Sequence, residues 1–185
     1  MIEDVKKEAA QRMRRSVESL EGEFRRLRTG RANVGLLEHV SVEYYGSQVP
    51  INQVATLSVE DARTLTVTPW ERPMVAVVER AILNSDLGLT PMSAGNVIRV
   101  PLPAMTEERR KELVRVVRAG AETGRIAIRN IRRDALSSIK EMLKEKMITE
   151  DDDHRAHDEV QKITDRFVAD VDALLKEKET EIMEF

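Results

Sequence analysis

A chain of 185 residues with 34% charged and only 3% aromatic side chains cannot fill a broad sandwich core, so its apolar residues are expected along narrow seams of long helices in an elongated molecule. The absence of cysteine excludes disulfides, thiolate zinc sites and cysteine nucleophiles, and the net charge is −3. No segment approaches the ~20 apolar residues of a membrane span, and Met1-Ile2-Glu3-Asp4-Val5-Lys6-Lys7 lacks a secretory apolar run, so a cytoplasmic protein with no membrane partner is expected.

In chain order, Ile2, Val5, Ala9, Met13, Val17, Leu20, Phe24 and Leu27 step by three or four, which predicts one amphipathic helix with a single seam. It is predicted to stop at Thr29-Gly30, where glycine suits a left-handed helix end. Between Arg31 and Ala104 the period changes. Val40, Val42 and Tyr44 alternate, Tyr45-Gly46-Ser47-Gln48 reads as a turn, and Leu65 with Val67, then Ile98 with Val100, alternate again as short strands. One helix interrupts them from Arg72 or Pro73 to Asn84, with Val75, Val78, Ile82 and Leu83 on one face. Pro101-Leu102-Pro103 then forms a stiff extended connector.

Thr106 with Glu107 and Glu108 opens the next helix, whose seam from Leu113 through Met147 supports about 40 residues. Gly120 and Gly124 inside it imply close helix approach or local softness, because each costs about 1 kcal/mol against alanine. Thr149, followed by Glu150, Asp151, Asp152 and Asp153, starts a last helix with a seam of Val160, Ile163, Phe167, Val171, Leu174 and Ile182, interrupted by Lys178. Three one-seam helices must cover one another, which predicts an α+β chain: a three-helix bundle of residues 1–29 and 106–185 with a small β/α/β domain, 31–104, inserted at one end. Two joining strands, near 29–31 and 101–105, make a hinge the natural expectation. The three seams can satisfy one another, so a monomer is expected.

Arg118, Arg125, Arg129 and Arg132 recur beside the apolar stripe of Val117, Gly124, Ile128, Ile131 and Ala135, and at ~100° per residue they fall within roughly 60° of arc. From Arg109 to Arg133 nine basic residues face only Glu112 and Glu122. Such a face can be a solvated surface, but arginine in place of lysine favours a nucleic-acid backbone, since a planar guanidinium grips phosphate bidentately. From Thr149 to Phe185, thirteen acids against five bases make nucleic-acid contact there unexpected.

His154 and His157 lie at i and i+3 beside Asp151, Asp153 and Asp158, yet acids opening a helix are ordinary dipole chemistry and no metal site is expected. No nucleophile elbow, phosphate loop or dinucleotide fingerprint is present, so neither catalytic residues nor a cofactor are expected. Tyr44 and Tyr45 should point to opposite faces of a strand, one of them packed in the core, and with Trp70 they form no paired base-stacking signature.

Arg28-Thr29-Gly30-Arg31-Ala32, Val42-Glu43-Tyr44-Tyr45-Gly46, Ser85-Asp86-Leu87-Gly88-Leu89, Ile98-Arg99-Val100-Pro101-Leu102-Pro103, Thr106-Glu107-Glu108-Arg109-Arg110-Lys111 and Arg129-Asn130-Ile131-Arg132-Arg133-Asp134-Ala135 together resemble the bacterial ribosome recycling factor family, in order and over essentially the whole chain. The resemblance implies an L-shaped molecule, a hinge at Thr29, Gly30, Arg31, Pro101, Leu102 and Pro103, and binding to the intersubunit face of the post-termination ribosome. It also implies elongation factor G with GTP as the partner that supplies hydrolysis, subunit dissociation and release from mRNA as the outcome, and initiation factor three acting downstream. By the same resemblance Arg129, Arg132 and Arg133 match the large-subunit rRNA-contacting arginines, Arg132 foremost, while Arg28 and Arg31 are expected to add backbone contacts and Arg125 belongs to the same stripe. Ala104-Met105, Asn33-Val34-Gly35 and Gly124 depart from the usual pattern. A general RNA binder and a bundle adaptor for another protein are the competing readings, separable by preference for the assembled ribosome over free RNA.

Overall fold

A computed structural model of the chain describes residues 1–27 and 29–184. Among these, four helices and six strands form: α1 (Ile2–Arg26), β1 (Ser41–Tyr44), β2 (Ser47–Pro50), β3 (Ala55–Asp61), β4 (Thr64–Pro69), α2 (Met74–Leu83), β5 (Met92–Ala94), β6 (Val97–Pro101), α3 (Glu107–Lys144) and α4 (Glu150–Glu184). The chain divides into two compact units, one of Met1–Leu27 with Glu108–Glu184 and the other of the stretch between.

The first unit is a bundle of α1, α3 and α4. Met13, Leu20 and Phe24 of α1 are buried with Val117, Ala121, Gly124, Ile128, Ile131 and Ala135 of α3 and with Val160, Phe167 and Val171 of α4. Thr164 joins this seam although it is polar, because its hydroxyl donates to the Val160 carbonyl at 2.8 Å and so enters the core satisfied. A Cβ on Gly124 would lie 3.5 Å from Leu20 and 3.8 Å from Val171, and one on Gly120 would lie 3.4 Å from Phe24. Both glycines therefore mark close approach of neighbouring helices.

The helix ends follow local chemistry. α1 ends at Arg26, earlier than Thr29-Gly30, because Leu27 turns extended at φ −73°, ψ 133°; Gly30, at φ +82°, serves a bend further on. α3 closes on Lys146, left-handed at φ +61°, whose N–H donates to the Leu143 carbonyl at 3.0 Å while the Met147 N–H donates to Met142 at 2.9 Å. α4 opens with a reciprocal cap. The Asp152 N–H donates to Thr149 Oγ1 and the Thr149 N–H donates to Asp152 Oδ2, both at 3.1 Å, which holds the Asp152 carboxyl below its usual pKa.

The second unit holds an antiparallel sheet in the order β3-β4-β6-β5, a separate hairpin of β1 and β2, and α2. Leu37, Val42, Ile51, Leu65, Val67, Val78, Ile82, Ile98 and Val100 are fully buried in its core. The hairpin turns on Tyr45 and Gly46 at φ +47° and +83°, so Ser47 and Gln48 already belong to β2. Alternation thus ends at Tyr44, and the two tyrosines do not divide between core and solvent: their hydroxyls both donate to Glu71, at 3.1 and 3.3 Å, with Tyr45 80% exposed. Pro101 still pairs with Thr64, and the Leu102 N–H donates to the Arg63 carbonyl at 2.7 Å while its side chain packs on the core. The first two residues of the expected connector are therefore part of this unit.

Candidate nucleic-acid interface

The arginine stripe of α3 follows from the same periodicity that buries Val117, Gly124 and Ile128: residues one step round the helix from the seam border α4. Arg118 Nε donates to Glu179 Oε1 at 2.5 Å. Arg125 donates to Asp172 Oδ1 through Nη2 at 2.6 Å and Nε at 2.9 Å, and through Nη1 to Glu122 at 3.1 Å. Its side chain is only 19% exposed, and the Asp172 hydrogen bonds raise its already high pKa. Half of the stripe is thus a strap between two helices of the bundle.

The other arginines keep their charge. Arg129 is 49% exposed and makes only a long contact to Glu122, at 3.5 Å. Arg132 Nη1 donates to the neutral amide oxygen of Gln161 at 3.1 Å, and Gln161 Nε2 donates in turn to Asp165 Oδ1 at 2.8 Å. Arg133 is exposed and, among the described residues, has no carboxylate on it. Arg129, Arg132 and Arg133 therefore form a contiguous, solvent-facing group on two successive turns of a rigid helix, suited to phosphates.

Of the remaining expected residues, Arg31 is exposed in the smaller unit, Thr29 is buried there and Arg28 lies outside the described residues. The residues missed by sequence reasoning are the α4 partners Gln161, Asp165, Asp172 and Glu179. Their signal was present in the heptad spacing of Asp165, Asp172 and Glu179, which mirrors that of Arg118, Arg125 and Arg132.

Among the described residues, no three His, Asp or Glu side chains converge as a metal site, and no helix is long and apolar enough to cross a membrane. Trp70 is 64% exposed and its Nε1–H donates to Thr56 Oγ1 at 2.8 Å at the sheet edge, away from the tyrosine hydroxyls' Glu71 contacts in bonding terms.

A helical bundle with an arginine group of uncancelled charge, carried in one chain with a small β unit, defines an α+β binding protein. Residues 20–183 match the family model for ribosome recycling factor. The chain is 61% identical over 184 residues to the ribosome-recycling factor of Thioalkalivibrio sulfidiphilus (strain HL-EbGR7), covering all of both proteins. It is 59% identical to that of Nitrosococcus oceani, covering 100% of this chain and 98% of the relative. A solution structure of the ribosome recycling factor is similar at TM-score 0.71 and 42% identity, over 100% of this chain and 98% of the other. So is a chain from models for the T. thermophilus ribosome recycling factor and the E. coli elongation factor G bound to the E. coli post-termination complex, at TM-score 0.63 and 49% identity over 98% of each chain. This chain belongs to the ribosome recycling factor family.

Proposed function

We propose that this protein binds the post-termination ribosome and, with elongation factor G and GTP hydrolysis by that partner, promotes dissociation of the subunits and release from mRNA. The observation that carries the reading is a full-length match to ribosome recycling factors in a chain whose Arg129, Arg132 and Arg133 hold exposed, largely uncompensated charge. In this reading those three arginines contact large-subunit rRNA on the intersubunit face, Arg28 and Arg31 add backbone contacts, and Arg125 reaches a phosphate only by leaving Asp172. The domain boundaries are taken near 29–31 and 101–105, with Thr29, Gly30, Arg31, Pro101, Leu102 and Pro103 as the hinge through which elongation factor G moves the smaller domain. The protein supplies shape and charge while its partner supplies hydrolysis, and initiation factor three acts on the separated subunits afterwards.

Light scattering of post-termination ribosomes tests this directly. Loss of scattering only when this protein, elongation factor G and GTP are all present is the expected result. No loss with an active, matched elongation factor leaves an RNA or ribosome binder in its place.

A further inference from the structure

A step of seven along α3 leads from Arg118 to Arg125 to Arg132, and a step of seven back along α4 leads from Glu179 to Asp172 to Asp165. The first two rungs of this antiparallel ladder are closed, Arg118 on Glu179 and Arg125 on Asp172. By the same register the third rung joins Arg132 to Asp165, two opposite charges at matched positions. A different arrangement forms. Gln161, one turn before Asp165 on the same face of α4, donates its amide N–H to Asp165 at 2.8 Å and accepts from Arg132 Nη1 at 3.1 Å. The amide therefore stands where the third ion pair would close.

The substitution of an amide for a carboxylate changes what the guanidinium can do. Asp172 cancels the charge of Arg125, so a phosphate approaching that arginine competes with a full negative charge. Gln161 offers Arg132 a carbonyl dipole that directs the guanidinium and leaves its charge in place. Asp165, with one oxygen already engaged by the amide N–H, is held back from the arginine.

We infer that Gln161 is a positioning residue that keeps Asp165 off Arg132, so that Arg132 presents an oriented and uncancelled charge to RNA phosphate. This rests on the ribosomal reading of Arg132 given above. It also predicts an asymmetry along one stripe: the rung with the amide is the rung that binds.

The test measures binding of the full-length protein to post-termination ribosomes for the parent, Gln161→Ala, Gln161→Ala with Asp165→Asn, and Arg132→Ala, with thermal melting of each. Gln161→Ala frees Asp165 to close the third rung and is expected to weaken binding roughly threefold to fivefold, the scale of one exposed ion pair. Adding Asp165→Asn should restore affinity to near the parent, because no charge remains to cancel Arg132; a role in helix packing alone gives no such rescue. Arg132→Ala weakened with Gln161→Ala unchanged, or a double variant as weak as the single, overturns the assignment to Gln161. Arg132→Ala binding like the parent overturns the ribosomal reading of Arg132 itself.

Discussion

Asp172 of α4 takes two hydrogen bonds from Arg125 of α3 on a single carboxylate oxygen, at 2.6 and 2.9 Å, and so makes an arginine that looks like a ligand contact into a bundle strap. Asp172 is 54% exposed, which limits the pair to about 1 kcal/mol. Asp172→Asn is therefore expected to lower urea-denaturation stability by about that much while leaving ribosome affinity equal or slightly higher. A variant that keeps its stability and loses affinity would reverse the roles assigned to the two helices.

Arg132→Ala should act in the opposite sense. It removes a charge-assisted phosphate contact worth about 1–3 kcal/mol of binding and leaves the bundle's melting temperature nearly unchanged, since Gln161 is exposed and regains water. Titration against post-termination ribosomes at fixed salt reads the first effect and calorimetry the second.

Gly124 is buried, and an added Cβ meets Leu20 and Val171 only at ordinary contact distance. Gly124→Ala is thus expected to stabilise the protein by about 1 kcal/mol through helix propensity and a less flexible unfolded chain. A lower midpoint in urea would show that α1 and α4 approach too closely for a methyl group.

Acidification should selectively weaken the junction of α1 with α4. Lys6 bonds Glu159, which holds that carboxyl below its ordinary pKa, while the hydrogen bonds from Glu159 and then Glu3 raise the pKa of Lys6. A depressed carboxyl stabilises the fold above its unfolded pKa and stops doing so as pH falls through the folded value; the raised lysine loses its share only as pH rises through its own folded pKa. The stability gap between the parent and Glu159→Gln, measured by urea unfolding, should accordingly be present at pH 7 and close in acid. A gap of unchanged size across that range would mean that Glu159 acts without its charge.

Long periodic segments were legible residue by residue: α1, α3 and α4 follow seams that only a 3.6-residue period explains, and Pro73 stands just ahead of α2 as expected. β2, β3 and β5 were not. β3 is an edge strand whose Val59 is half exposed beside a bulge, so its apolar residues do not fall on one buried face and its alternation is obscured. The arginine stripe was visible from α3 alone, but spacing along one helix cannot show which charges a neighbouring helix cancels. Arg125 and Arg132 look equivalent in the sequence; Asp172 and Gln161 make them different.

The left-handed residue Lys146 carries a consequence for how this surface can change. The short turn it closes joins α3 to α4, and every cross-helix partner lies at a distance along the chain counted symmetrically from that turn. One added residue there would rotate α4 by about 100° and reassign all partners together. Loop length between two helices, a feature with no charge of its own, therefore acts as the selector of which cations this protein offers to the outside.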